Sequence, residues 1–117
     1  RLKVSKEAQP KQIIIYANQD GYEPFTEWIN NLRDQQGKRR ILQRLRRLKQ
    51  GNYGDVAPIG DGLSELRMFF GFGYRVYFGE DAENIVVVLC GGDKSTQIQD
   101  IEDAKAYWKE YLSCEKI

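Results

Sequence analysis

Three short β-type segments crowd between Leu63 and Cys90, and they restrict the fold more tightly than anything else in the chain. Leu63–Phe70, Tyr74–Phe78 and Ile85–Cys90 are rich in branched and aromatic residues. Only Gly71-Phe72-Gly73 and the polar stretch Glu80–Asn84 separate them, so an antiparallel meander is predicted. Leu66, Met68 and Phe70 alternate on one face of the first strand, and Tyr74, Val76 and Phe78 on one face of the second. Bringing both apolar sets to one side of the sheet requires a register such as Met68 opposite Tyr74. That register sets Arg67 opposite Arg75 on the other face, with Glu65 near Tyr77.

Like charges facing each other across a strand pair cost stability. An anion between them would relieve the cost, and the planar donor fork of arginine suits phosphate oxygens. Two plainer arrangements satisfy the same sequence: both arginines reach solvent, or Glu65 neutralises one. Just after the last strand, Gly91-Gly92-Asp93-Lys94-Ser95-Thr96-Gln97 allows a sharp turn that brings Lys94 out near the same face as a third cation. The glycine spacing is too short for a phosphate-cradling Walker loop.

The remaining segments read as follows. Arg1–Lys11 is polar and expected to fray. Ile13–Tyr16 reads as a short, well-buried strand. Pro24 suits a first helical turn, and Phe25, Trp28, Ile29 and Leu32 make one apolar stripe. Gly37 is expected to break that helix and a second to follow, with Ile41, Leu42, Leu45 and Leu48 inward, its arginines outward and Gly51-Asn52 at its end. The pair reads as an antiparallel helical hairpin. The glycines and proline from Gly51 to Gly62 mark a loop. Asp100 is expected to cap a final helix with Asp103 as capping-box partner, and Ile101, Ala104, Trp108, Tyr111 and Leu112 as its buried face. The order β-α-α-β-β-β-α predicts an α+β fold, with helices on one face of a small sheet and residues 1–117 as a single domain.

A net charge of +1 conceals a strong asymmetry. The segment KRRILQRLRRLK holds seven cations (Lys38, Arg39, Arg40, Arg44, Arg46, Arg47 and Lys49) and no acid, whereas the stretch from Asp100 onward leans acidic. Self-repulsion along three helical turns points to a polyanion partner, RNA or DNA. Trp28, Trp108, Tyr107 and Tyr111 fall at helical spacing and read as core, not as base-stacking platforms. The absence of histidine removes the common zinc sites and histidine-based acid–base catalysis. Cys90 and Cys114 form no disulfide framework and match no zinc spacing, and Cys90 reads as a small core residue. Nothing in the sequence suggests a metal or organic cofactor. The longest apolar run, Ile85–Cys90, is too short to span a bilayer, and no charged-then-apolar leader opens the chain, so nothing argues for secretion. Because Met68 is the sole methionine, the chain is expected to lack its natural start.

The strings LSELR, GYRVYF, the apolar strand running into GGDKSTQ, and DIEDAKAYW resemble the RelE/ParE superfamily, within it the HigB-like branch of addiction-module killer proteins. The resemblance extends over most of the chain from about Ile13. It implies a cytoplasmic bacterial toxin held inactive by an antitoxin, with no membrane partner. RelE-like members cleave mRNA in the ribosomal A site, where a 2′-hydroxyl attacks the neighbouring phosphate. By position Arg67 matches the arginine that stabilises phosphate charge, Arg75 matches the second arginine, and Lys94 falls in the segment supplying a further basic residue. The basic second helix resembles the surface that meets ribosomal RNA. The chain departs from several ribonuclease members in having neither a histidine nor a tyrosine soon after Lys94. Arginine stays protonated, so Glu65, Asp93, Lys94 or the ribosome would move protons. On this reading, replacing Arg67 or Arg75 by alanine abolishes toxicity with little loss of folding. ParE-like relatives, which poison DNA gyrase without catalysis, give the alternative, and a degenerate member that only binds antitoxin gives a third.

Overall fold

Period-two alternation sets the central hairpin in the expected register: Leu66 pairs with Val76, Arg67 with Arg75, and Glu65 with Tyr77. The computed structural model describes residues 9–115. Its elements are β1 (Gln12–Ile15), α1 (Pro24–Asn30), α2 (Gln35–Lys49), β2 (Val56–Gly60), β3 (Leu63–Arg67), β4 (Arg75–Glu80), β5 (Ile85–Gly92) and α3 (Gln97–Glu115). The five strands form one sheet in the order β1-β5-β4-β3-β2. Strands β2 to β5 make an antiparallel meander, and β1 lies along the far side of β5, parallel to it. The fold class is α+β, as expected.

The layering differs from the expectation of helices on one face. Phe25 and Ile29 of α1 and Ile41, Leu45 and Leu48 of α2 pack with Leu66, Val76, Phe78, Val86 and Val88 on one side. Ala104 and Trp108 of α3 pack with Leu63, Tyr77, Val87 and Leu89 on the other. The cause lies in β5, whose unbroken run Val86–Cys90 is buried throughout and presents apolar residues both ways. Each fully buried aliphatic side chain contributes about 1.5–3 kcal/mol. Each layer also rests a tryptophan on a strand glycine. A Cβ on Gly91 would come within 2.4 Å of the Trp28 ring, and one on Gly79 within 2.7 Å of the Trp108 ring.

Four local expectations are corrected. The stretch after Gly51 is not all loop, because it contains β2. Pro58 is admissible there because β2 is an edge strand, where a missing N–H costs no ladder bond. Strand β1 is also an edge, so Ile13, Ile14 and Ile15 are only half-buried. Gly37 does not break a helix. Asp34 caps α2, and the Gly37 N–H donates to its Oδ1 at 2.9 Å. Glycine is needed there because a Cβ would lie 2.7 Å from Tyr74. Nor does Asp100 cap the last helix. Asp93 caps the 3-10 turn Lys94–Thr96 that leads into α3, accepting from the Ser95 N–H at 2.9 Å, while Asp100 accepts from the Thr96 hydroxyl at 2.5 Å.

Tyrosine–carboxylate bonds tie the layers together. The Tyr74 hydroxyl donates to Asp34 at 2.8 Å, Tyr16 donates to Glu110, and Tyr53 donates to Glu80. Burial, then the carboxylate, pushes the Tyr74 pKa up from 10.0 to about 12, and the same two causes raise Tyr16 and Tyr53. A raised folded pKa means the fold favours the protonated phenol. That stabilisation is complete below pH 10 and is lost as pH climbs toward 12. Alkaline titration followed by phenolate absorbance and circular dichroism should therefore show ionisation delayed until the fold is lost. Tyr74→Phe should reduce the alkaline loss of stability; an unchanged profile would count against the assignment.

Candidate functional site

The facing arginines lie on the sheet surface that α3 only partly covers, and each has its own carboxylate. The Arg75 Nε stands 3.5 Å from Glu65 Oε2, and both side chains are nearly buried, at 11% and 4% exposure. Arg75 Nη1 also donates to the Gly73 carbonyl at 2.7 Å, and Gln97 Nε2 donates to Glu65 Oε2 at 2.7 Å. The Tyr77 hydroxyl is buried beside them, and its pKa is driven upward by burial and then by the Glu65 charge. Arg75 is thus locked into a buried polar group. The plainer arrangement holds, in which Glu65 neutralises one arginine, and no anion is required between the pair.

Arg67 is different. Its guanidinium is 37% exposed and meets Asp55 through a single contact, Nη2 to Oδ1 at 3.3 Å. The Arg67 Nε and the second Asp55 oxygen are left without a hydrogen-bond partner. The Arg75 Nε likewise makes no hydrogen bond, so what separates the two arginines is exposure, 37% for Arg67 against 11% for Arg75. Arg67 is half-exposed and lightly held, whereas removing Arg75 would strand a buried carboxylate.

Lys94 is exposed at the start of the turn into α3, and its backbone N–H donates to the Phe72 carbonyl at 3.3 Å. A Cβ on Gly73 would lie 3.2 Å from Arg75 Nη1 and 3.4 Å from the Lys94 Cβ, so these two cations flank one glycine. Asp93 is engaged as a cap, accepting also from the Ser95 hydroxyl at 2.6 Å. Arg67, Arg75, Glu65, Asp93 and Lys94 thus gather around the sheet end that carries the β3–β4 turn. Glu65 is enclosed, with its carboxylate held between Arg75 and the Gln97 amide.

On the opposite layer, α2 displays Arg39, Arg40, Arg46, Arg47 and Lys49 to solvent, with Lys38 half-buried. Gln36, Arg39, Arg40, Leu42, Gln43 and Arg46 line a shallow depression of about 470 Å³. Arg44, expected to face outward with the others, turns inward. It donates to the carbonyls of Arg67 at 2.9 Å, Tyr53 at 3.1 Å and Asp55 at 3.4 Å. Carbonyls around the edge strand β2 need donors, and Arg44 supplies them at the cost of its own desolvation, which lowers its pKa. Its role is to hold the backbone that carries Arg67 and Asp55.

Several site residues carry no signal in the sequence reading. Asp34 and Tyr74 join the start of α2 to the β3–β4 turn, and the charges of the Gly37 N–H and Tyr74 hydroxyl dipoles hold the Asp34 pKa down. Asp55 and Gln97 become visible only once distant segments meet. Phe69 and Phe72, at 77% and 72% exposure, were absorbed into a strand and a turn. An aspartate three residues before Gly37 was a readable helix-start signal. Cys90 is a buried core residue with its thiol pKa raised by burial, as its position in an apolar strand suggested. No helix among the described residues is long and apolar enough to cross a membrane.

Comparison with known proteins places this geometry in a family. An uncharacterized protein of Haemophilus influenzae (strain ATCC 51907 / DSM 11121 / KW20 / Rd) is 44% identical over 86 residues, covering 74% of this chain and 87% of its own length. The family model described as "Phage derived protein Gp49-like (DUF891)" matches residues 27–110, a span that takes in the end of α1, all of α2, every strand but β1, and most of α3. The chain belongs to the Gp49-like family of phage-derived proteins, a toxin–antitoxin toxin family with the RelE-like fold.

Proposed function

We propose that the protein is a single-domain, HigB-like toxin that cuts mRNA in the ribosomal A site, acts in the cytoplasm and is silenced by a cognate antitoxin. The observation that carries this reading is Arg67: half-exposed, held by one contact to Asp55, and set across the hairpin from Arg75. In the proposed reaction an RNA 2′-oxygen attacks the adjacent phosphorus, a new P–O bond forms, and the P–O bond to the 5′-oxygen breaks. Arg67 stabilises the negative charge that builds on the phosphoryl oxygens, the largest single protein contribution in such sites. Arg75, fixed by Glu65, supplies a preorganised positive field behind it. Asp93 and Lys94 are the accessible titratable groups, and the ribosome contributes the proton transfer for which the chain has no histidine. The exposed cations of α2 provide the sequence-independent attraction to ribosomal RNA.

One observation favours the gyrase reading instead. Both site arginines already have carboxylates, and Glu65 is enclosed, so the proton-transfer set is thin. Mapping mRNA 5′ ends after adding purified protein to ribosomes stalled with an empty A site separates the two. Ends at the A-site codon only with ribosomes are expected. Absent ends from a protein that still arrests growth, together with inhibited DNA supercoiling, would move the assignment to gyrase.

A further inference from the structure

Among the described residues four large apolar side chains are strongly exposed, Tyr22, Phe69, Phe72 and Ile98, and two of them share the β3–β4 turn. Exposed phenylalanines gain nothing from water, and the backbone around these is hydrogen-bonded. The Gly73 N–H donates to the Phe70 carbonyl at 3.0 Å, the Met68 N–H to the Tyr74 carbonyl at 3.0 Å, and the Lys94 N–H clamps Phe72. Gly71 and Gly73 take positive φ of 58° and 75°, which gives the turn its shape without strain.

Three rings of the turn, Phe69, Phe70 and Phe72, each lie near a cation. The Arg67 guanidinium lies over Phe69 at 5.9 Å and that of Arg40 over Phe70 at 5.0 Å, while Phe72 and Lys94 line a shared open pocket of about 280 Å³ with Asp93 and Ser95. The nearby carboxylates are already engaged: Asp34 by Gly37 and Tyr74, Asp55 by Arg67, Asp93 by Ser95. The turn also joins the two cationic surfaces, touching α2 through Arg40 and the β3 arginine through Phe69. A protein-docking patch would present contiguous apolar area. Alternating rings and cations instead match a strand that alternates bases and phosphates.

We propose that the β3–β4 turn is a base-stacking platform for single-stranded RNA, in which Phe69 and Phe72 take unstacked bases while Arg67 and Lys94 hold flanking phosphates. The proposal rests on the RNA-directed reading above but not on cleavage. Its test is fluorescence anisotropy of the full chain with a labelled single-stranded oligoribonucleotide, beside an abasic strand of equal length and charge. Phe69→Ala and Phe72→Ala should each weaken binding of the base-bearing strand by roughly 5- to 150-fold and leave the abasic strand unaffected. Both rings are exposed, so the core is spared, and near-ultraviolet circular dichroism checks this. Phe72→Trp should retain affinity, and its emission should be quenched by the base-bearing strand alone. Equal binding of the two strands, unchanged affinity in both alanine variants, or no association of the wild type would each overturn the proposal. Variants that lose antitoxin but keep RNA would also overturn it and assign the turn to a protein. Failure of the cleavage reading looks different: no A-site ends from a wild type that still prefers the strand with bases.

Discussion

Arg75→Ala should cost about 3–5 kcal/mol of stability, read as a lower midpoint in urea-induced unfolding. The side chain is 11% exposed and faces a carboxylate that is 4% exposed. Deleting it leaves the buried Glu65 without its ion-pair partner, facing only neutral groups, the Gln97 amide and the Tyr77 hydroxyl. Replacing both partners together with apolar residues of similar size, as in Glu65→Leu with Arg75→Met, should recover much of the loss, because the desolvation cost disappears with the charges. An unfolding midpoint equal to wild type in Arg75→Ala would show that water reaches Glu65 freely and that the pair is not a structural anchor. A practical point follows for toxicity assays. Loss of growth arrest in this variant reports on folding first, and only a folded fraction measured in parallel makes it informative about RNA.

Arg67→Ala should do the opposite, lowering A-site cleavage by about 100- to 1000-fold with under ~1 kcal/mol lost in folding. Its ion pair with Asp55 is exposed on both sides and held at one point, so its net worth to the fold is small. The same looseness leaves the guanidinium able to turn toward a phosphate. Arg67→Lys should restore only a fraction of the rate, since an ammonium lacks the planar fork. The measurement is a single-turnover cleavage rate on stalled ribosomes, with thermal unfolding of each variant alongside. A rate within a few-fold of wild type would remove Arg67 from the catalytic machinery. The contrast between the two arginines, one dominated by stability and one by rate, separates roles that their symmetric placement across the hairpin conceals.

The register of β3 and β4 was legible because two alternating apolar rows can share a core in only one way. What those rows could not convey is what lies across from them. Asp55 reaches Arg67 from the residue before β2, a strand hidden in a run of glycine and proline that reads as loop, and Gln97 reaches Glu65 from the start of α3. Arg44 shows the same limit on a helix. Its position between Ile41 and Leu45 resembles that of its basic neighbours, yet the open carbonyls at Tyr53, Asp55 and Arg67 draw it inward. The two-sided burial of β5 was present in its unbroken apolar run, but such a run does not say which helix covers which side. Gly37 misled for a related reason: glycine before a helical pattern signals a break, whereas here it makes room for Tyr74 inside a capped first turn.

The tryptophan laid on a glycine in each layer gives the molecule two intrinsic optical reporters with separate fields of view. Trp28 senses only the α1 and α2 side, and Trp108 only the α3 side. Trp28 also meets Tyr74 edge-on at 6.1 Å, and Tyr74 in turn meets Phe70 and Phe72 at 5.9 and 6.4 Å. An event at the β3–β4 turn therefore has a short aromatic path to one indole and none drawn to the other. Unlabelled protein carries within it a signal channel for the turn and a reference channel for the opposite face.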